Sequence, residues 1–251
     1  MTQAQSPVAL ITGASRGIGK AIALQLAGQG YSIALNYLSN EQAAKEAADA
    51  VKAKGVQAEI FQGNAGEPEA CEKLVKDTLT KFGRIDVLVH NAALGSFKPT
   101  HKTRLNQWDL TMNINARAML VLTQAVLKDM EPRGSGNIIG LSSLGAIQYI
   151  PNYGAIGVSK ATLESLIRYL AVELRPKGIR VNAVSGGPID TDAIKHFPDA
   201  EGFKNACIAK TPAGRIGKAE DLAKVVGFLV SPAAEWIVGQ TIIADGGLSL
   251  I

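Results

Sequence analysis

Val8-Ala9-Leu10-Ile11-Thr12-Gly13-Ala14-Ser15-Arg16-Gly17-Ile18-Gly19 decides how this chain folds. Four apolar residues of strand length run into a turn with glycines at 13, 17 and 19, and a stretch of helical length begins at once. Strand, glycine turn and helix in direct succession open a βαβ unit. The glycines permit a tight turn, close backbone approach to a pyrophosphate and helix-to-strand packing, while the helix start offers N–H groups and a positive dipole end. Gly13, Ser15, Arg16, Gly17, Ile18 and Gly19 are therefore candidate dinucleotide-binding residues, in a GxxxGxG spacing rather than GxGxxG.

Beyond this stretch, apolar, β-rich runs recur at residues 32–35, 57–61, 87–89, 137–141, 180–184 and 240–244, separated for the most part by amphipathic stretches. The helical signal is firmest at 41–54, 67–82, 105–130 and 155–175, where apolar residues return every three or four positions. Such alternation implies parallel strands joined by right-handed crossovers, hence an α/β fold with a doubly wound, seven-stranded parallel sheet. No linker, repeat or composition shift divides residues 1–251, so a single domain is expected. Residues 190–214 remain as a long, weakly patterned insertion, expected to form a substrate lid.

The 251 residues are 47% hydrophobic and 19% charged, which supplies a sizeable core and excludes a disordered or fibrous protein. Cys71 and Cys207 stand far apart with no companion Cys or His at ligand spacing, so neither a disulfide framework nor a metal site is expected, and a reducing cytoplasm is the default. No apolar run reaches the length of a membrane span, and residues 1–6 show no signal-peptide pattern. A net charge of +4 without a basic cluster is too diffuse for a nucleic-acid groove.

In open α/β sheets ligands bind at the carboxyl ends of the strands. The second strand ends in Asn36-Tyr37-Leu38-Ser39-Asn40, with no carboxylate for a free ribose 2'-hydroxyl, and Arg16 offers a guanidinium to a 2'-phosphate. NADP(H) is thus expected over NAD(H), with Asn36, Tyr37 and Leu38 among its contacts. Small or amide residues follow the other strands on the same edge: Asn64 and Ala65, then His90 with Asn91, Ala92 and Ala93, then Ser142 and Ser143, then Gly187, Ile189 and Thr191.

Gly13, Gly17 and Gly19, Asn91-Ala92-Ala93, Asn115, Ser143, Lys160, Thr191 and Asp245-Gly246-Gly247 together resemble the short-chain dehydrogenase/reductase family over essentially the whole chain. The resemblance implies a Rossmann-type single domain, a homotetramer and a Tyr-x-x-x-Lys pair. Four residues before Lys160, however, stands Ile156, which has no proton to give. Tyr153 lies instead in a Tyr-x6-Lys spacing, similar to that of enoyl-acyl-carrier-protein reductases. Ser185-Gly186-Gly187, Asn113-Ile114-Asn115-Ala116, and Asp190-Thr191-Asp192-Ala193 with His196-Phe197-Pro198 resemble the third, NADPH-dependent bacterial type. That likeness implies Tyr153, Lys160 and Ser143 as catalytic residues, Lys160 on the nicotinamide ribose, NADPH as reductant, and as substrate a trans-2-enoyl chain on acyl carrier protein in type II fatty-acid synthesis.

Chemistry gives the displaced tyrosine a reason. In ketone reduction the hydride lands on the carbonyl carbon, beside the oxygen that needs the acid. In enoyl thioester reduction it lands on the β-carbon while charge gathers on the thioester oxygen, about 2.5 Å further along for bonds of ~1.5 Å. The donor must move with the charge. Two other functions stay open: a family member acting on a carbonyl or alcohol, such as a 3-oxoacyl reductase, and a non-catalytic dinucleotide-binding scaffold. Tyr149 is a rival phenol, and Asn115 is expected to bend or hydrate the fourth helix rather than touch substrate. Ala161, Leu163, Leu166 and Leu170 give the helix at 155–175 more apolar surface than one sheet face needs, which predicts burial against a second copy. Lys195, Lys204 and Lys210 form a basic rim that would steer an acidic carrier protein.

Overall fold

A computed structural model describes residues 6–192, 194 and 199–251. Seven strands, β1 (Val8–Ile11), β2 (Ser32–Tyr37), β3 (Ala58–Gln62), β4 (Val87–His90), β5 (Gly136–Ser143), β6 (Ile179–Gly186) and β7 (Thr241–Ala244), form one parallel sheet in the order β3-β2-β1-β4-β5-β6-β7. The helices are α1 (Gly17–Gly28), α2 (Glu41–Lys52), α3 (Pro68–Phe82), α4 (Leu105–Met112), α5 (Ala118–Arg133), α6 (Gly154–Leu174), α7 (Ala200–Lys210) and α8 (Ala219–Leu229). One face of the sheet packs on α1, α2 and α8, the other on α3, α5 and α6. Covered on both faces, β1 and β4 are wholly buried, which is why they read as unbroken apolar runs. The strand order reverses between β1 and β4, so the loops after them diverge and leave a crevice at the carboxyl edge.

Three details depart from the sequence expectation. The fourth helix is not one piece over 105–130: α4 passes through a π-helical turn at Asn113–Arg117 before α5 begins. One residue inserted in a turn shifts the apolar period without erasing it, so the periodicity runs through the break. Leu163 and Leu170 belong to the chain's own core with Leu166 packed against it, because α6 lies on β5 and β6 and against α4 and the π turn; the exposed apolar side chains of α6 are Val158, Tyr169 and Val172. The insertion at 190–214 is not patternless: α7 occupies its centre, started by Asp199, whose Oδ1 accepts from Gly202 N at 3.0 Å. Ile194, Cys207 and Ile216 form a small core there, joined by Phe203 and Ile208. The expectations for Ala193, Lys195, His196, Phe197 and Pro198 lie outside the described residues. Among those described, no helix is long and apolar enough to cross a membrane.

Candidate active site

The glycine turn is built for close approach. Gly13 and Gly17 adopt left-handed backbone angles, φ +64° and +54°. A Cβ on Gly19 would stand 2.3 Å from Gly13 O and 2.6 Å from Asn91 Nδ2, so α1 packs onto the turn only with glycine there. The turn is braced from behind: Gly13 N donates to Asn36 Oδ1 at 3.3 Å, Ala14 N to Asn36 O at 2.8 Å, and Asn91 Nδ2 to Thr12 O and Gly13 O at 3.0 Å each. Asn36 Nδ2 is occupied by Phe61 O and Gly63 O at 3.2 and 3.0 Å. Asn36, expected among the cofactor contacts, is thus buried and shapes the turn from within; Tyr37 is buried beside it, and Leu38 is exposed. No side chain caps the start of α1 at Arg16, which leaves first-turn N–H groups for an anion. The Thr191 methyl lies 3.6 Å from where a Gly17 Cβ would be, so the segment after β6 faces the turn. Exposed Arg16 stands 3.9 Å from Asp192. Flanked by Ser15 and Ile18, this cradle fits a diphosphate.

Other strand-end residues also have structural contacts. Asn64 Oδ1 accepts from Gly66 N (3.0 Å) and its Nδ2 donates to Glu67 Oε1 (2.9 Å), while Ala65 O accepts from Cys71 Sγ (3.2 Å), so both serve the entry to α3. A Cβ on Gly187 would lie 3.0 Å from Asp245 Cβ, so the segments after β6 and β7 approach closely, and Ile189 bridges to Gly217, which ties the segment after β6 to the one before α8. Thr12 Oγ1 accepts from Asn91 N and Ala92 N at 3.0 Å each, so its proton points to His90 Nδ1 at 3.4 Å. That leaves His90 Nε2–H for Asn115 O at 3.3 Å. Burial, with the Lys160 charge adding to it, pushes His90 down to about 3, so the ring is neutral.

The chemistry-bearing residues meet at the start of α6. Lys160 is buried and its Nζ donates to Leu141 O at 2.6 Å. Burial pushes its ammonium down to about 8, against the opposing effect of Glu164. The Tyr153 ring lies on Gly145, where an added Cβ would fall 2.6 Å from it, and tilts against Phe97 with centroids 5.9 Å apart. Burial pushes its phenol up, and a hydrogen bond with the Ser143 side chain pulls it back. Tyr149, the rival phenol, is 87% exposed. Ile156 is buried, and a Cβ on Gly95 would come within 2.2 Å of its Cγ1, so the loop after β4 closes onto an aliphatic side chain. Asn115 lies within the π turn: Oδ1 accepts from Leu94 N at 2.8 Å and Nδ2 donates to Ser159 Oγ at 2.9 Å, tying the π turn to α6. No group of three or more His, Cys, Asp or Glu side chains is placed to hold a metal among the described residues.

A family profile described as Enoyl-(Acyl carrier protein) reductase matches residues 13–249. The chain belongs to the short-chain dehydrogenase/reductase family. This reductase-family chain is 37% identical to a 1-cyclohexenylcarbonyl-CoA reductase of Streptomyces collinus, over 97% of its own length and 87% of the relative's. It is 35% identical to the 3-oxoacyl-[acyl-carrier-protein] reductase FabG of Staphylococcus epidermidis, over 96% and 98%. Among solved structures, a blue fluorescent protein from a metagenomic library in complex with NADPH is 34% identical with a TM-score of 0.89, over 97% and 98% of the two chains. A 7α-hydroxysteroid dehydrogenase complexed with NADH and 7-oxo glycochenodeoxycholic acid is 33% identical with a TM-score of 0.92, over 96% and 93%.

Sequence reasoning missed one residue of this short-chain dehydrogenase/reductase site. Glu164 is buried one helical turn beyond Lys160 and accepts from Ser142 Oγ at 2.5 Å. The signal was present: a carboxylate on the stripe of α6 that otherwise holds Leu163, Ile167 and Leu170.

Proposed function

We propose that this family member reduces the 2,3 double bond of an enoyl thioester on acyl carrier protein, with NADPH as reductant and Tyr153 as donor to the thioester oxygen. The observation that carries it is the exchange at 153 and 156: a buried isoleucine stands where a carbonyl-reducing acid would be, and the phenol bonded to Ser143 lies three residues earlier. A bound NADPH supplies the hydride to the β-carbon. Tyr153 donates a hydrogen bond to the oxygen on which charge gathers, an oxyanion-type stabilisation. Ser143 holds that phenol in place, and Lys160 would take the nicotinamide ribose. The glycine cradle would hold the diphosphate, and Arg16 would take the 2'-phosphate once it leaves Asp192. The description of the matching profile and the unsaturated thioester named for the Streptomyces relative support this reaction.

A second reading has its own observation. The relatives named 3-oxoacyl-[acyl-carrier-protein] reductase speak more directly for reduction of a 3-oxoacyl thioester, and a serine-bonded phenol is equally able to protonate a ketone oxygen. One comparison decides: NADPH oxidation by the pure protein with crotonyl and with acetoacetyl thioester of acyl carrier protein. Turnover of the crotonyl thioester supports the enoyl reaction, turnover of acetoacetyl alone replaces it with the keto reaction, and turnover of neither defeats both. Of the basic rim, Lys204 is paired with Asp190 at 3.3 Å and Lys210 is exposed, so Lys210 is the stronger attraction for a carrier.

A further inference from the structure

We infer that Glu164 is a positioning residue for Lys160: a buried carboxylate, fixed by Ser142, that keeps the ammonium charged beneath the reacting centre. The consequence for catalysis rests on the proposed reductase reaction; the charge relation itself does not. Lys160 and Glu164 are four residues apart on α6, hence neighbours on one stripe, and only 4% and 7% of their surfaces are exposed. Consecutive residues of β5 hold the pair: Leu141 O accepts from Lys160 Nζ at 2.6 Å, and Ser142 Oγ donates to Glu164 Oε1 at 2.5 Å. Beside Ser142 in the sheet register, β6 adds the buried hydroxyl of Ser185, which has no hydrogen-bond partner among the described residues.

Of the groups around Lys160, Glu164 carries the opposite charge that acts on it, one helical turn away and without a direct ion pair. His90 on β4 is neutral, Tyr153 at the start of α6 is a phenol, and the π turn presents the uncharged Asn115. An unpaired ammonium in so buried a place sheds its proton. Even with Glu164 present, burial brings Lys160 down to about 8. A buried carboxylate also carries a desolvation cost that an apolar residue on this stripe would avoid, so a role beyond joining β5 to α6 is called for.

The test reads Lys160 directly. In full-length protein labelled with ¹³C-lysine, the buried Lys160 resonance is assigned by its loss in Lys160→Arg, and its titration midpoint is followed by NMR. Glu164→Gln should lower that midpoint by about one pH unit, the size expected for losing a nearby opposite charge, and Glu164→Asp should restore most of it. The alkaline limb of kcat/KM, on whichever thioester is reduced, should move in the same direction. If Glu164→Gln fails to fold, Ser142→Ala, which releases the carboxylate from its anchor, should shift the midpoint the same way. A midpoint that stays in place in the folded variant overturns the assignment, whatever happens to activity. A shifted midpoint in a protein that reduces neither thioester upholds Glu164 and defeats the reaction instead.

Discussion

At Tyr153 a single oxygen separates two functional outcomes. Tyr153→Phe keeps the ring on Gly145 and against Phe97 but removes the donor, and should lower kcat on the enoyl thioester by about 10²- to 10³-fold with NADPH affinity nearly unchanged. Tyr149→Phe is the matched control, since that ring stands in solvent; near-normal turnover of Tyr153→Phe would remove the phenol from the mechanism. Arg16 is tested by cofactor titration: Arg16→Ala should weaken NADPH by ~1.5 to 3 kcal/mol and NADH little, because only the former offers a 2'-phosphate. Equal losses would mean the guanidinium supports the turn through Asp192. His90 makes a stability prediction with a definite sign. Its folded value, about 3, lies below the ordinary 6.5, so below pH 6.5 the unfolded chain takes up a proton that the folded ring refuses. Stability from this residue is complete above pH 6.5 and drains away as pH falls toward 3. Urea midpoints across that range should fall less steeply in His90→Asn than in the parent, and parallel slopes would contradict it.

The elements show what a sequence can and cannot display. Doubly covered strands and amphipathic helices announce themselves by period, so the sheet and its crossovers were legible, as was the glycine turn, because Gly13's left-handed angle favours glycine and Gly19's crowding admits no Cβ. The inward turn of Asn36 to Gly13 N, Phe61 O and Gly63 O was not legible, because an amide at a strand end looks alike whether it faces a ligand or packs inward. The π turn was invisible for a related reason: it is fixed by Leu94 N and Ser159 Oγ, partners 21 and 44 residues away. The insertion was legible as an insertion but not as a helix, since α7 has little apolar surface of its own and leans on the small cluster of Ile194, Cys207 and Ile216. So small a core gives little resistance to opening, and Thr191 already faces the glycine turn. Amides of α7 should therefore exchange rapidly in the free protein and gain protection with NADPH plus a substrate analogue. Identical exchange in both states would show that the insertion is no lid.

The two edges of the sheet differ in chemistry, and the difference bears on how whole molecules associate. At one edge β3 carries Glu59, paired with Lys81 at 3.0 Å, and Gln62, polar groups that discourage another strand from docking. At the other edge β7 presents Ile243 outward, with Trp236, 95% exposed, just before it and the exposed Leu250 and Ile251 just after. Tyr169 and Val172 lie exposed on α6, a second apolar surface. An open strand edge bordered by a bare tryptophan attracts non-specific partners unless a specific one covers it, and a two-fold contact between identical edges covers both at once. The surplus that the sequence places on Leu163 and Leu170 is thus carried instead by these side chains, and it leads to the same expectation by a different route. Light scattering at micromolar concentration should report a dimer or a multiple of it, a tetramer if the α6 surface pairs as well. Trp236→Glu combined with Ile243→Lys should reduce the mass by at least half while the circular dichroism of the fold persists. A monomeric parent protein would leave the apolar edge unexplained by self-association, and an unchanged mass in the double variant would place the contact elsewhere.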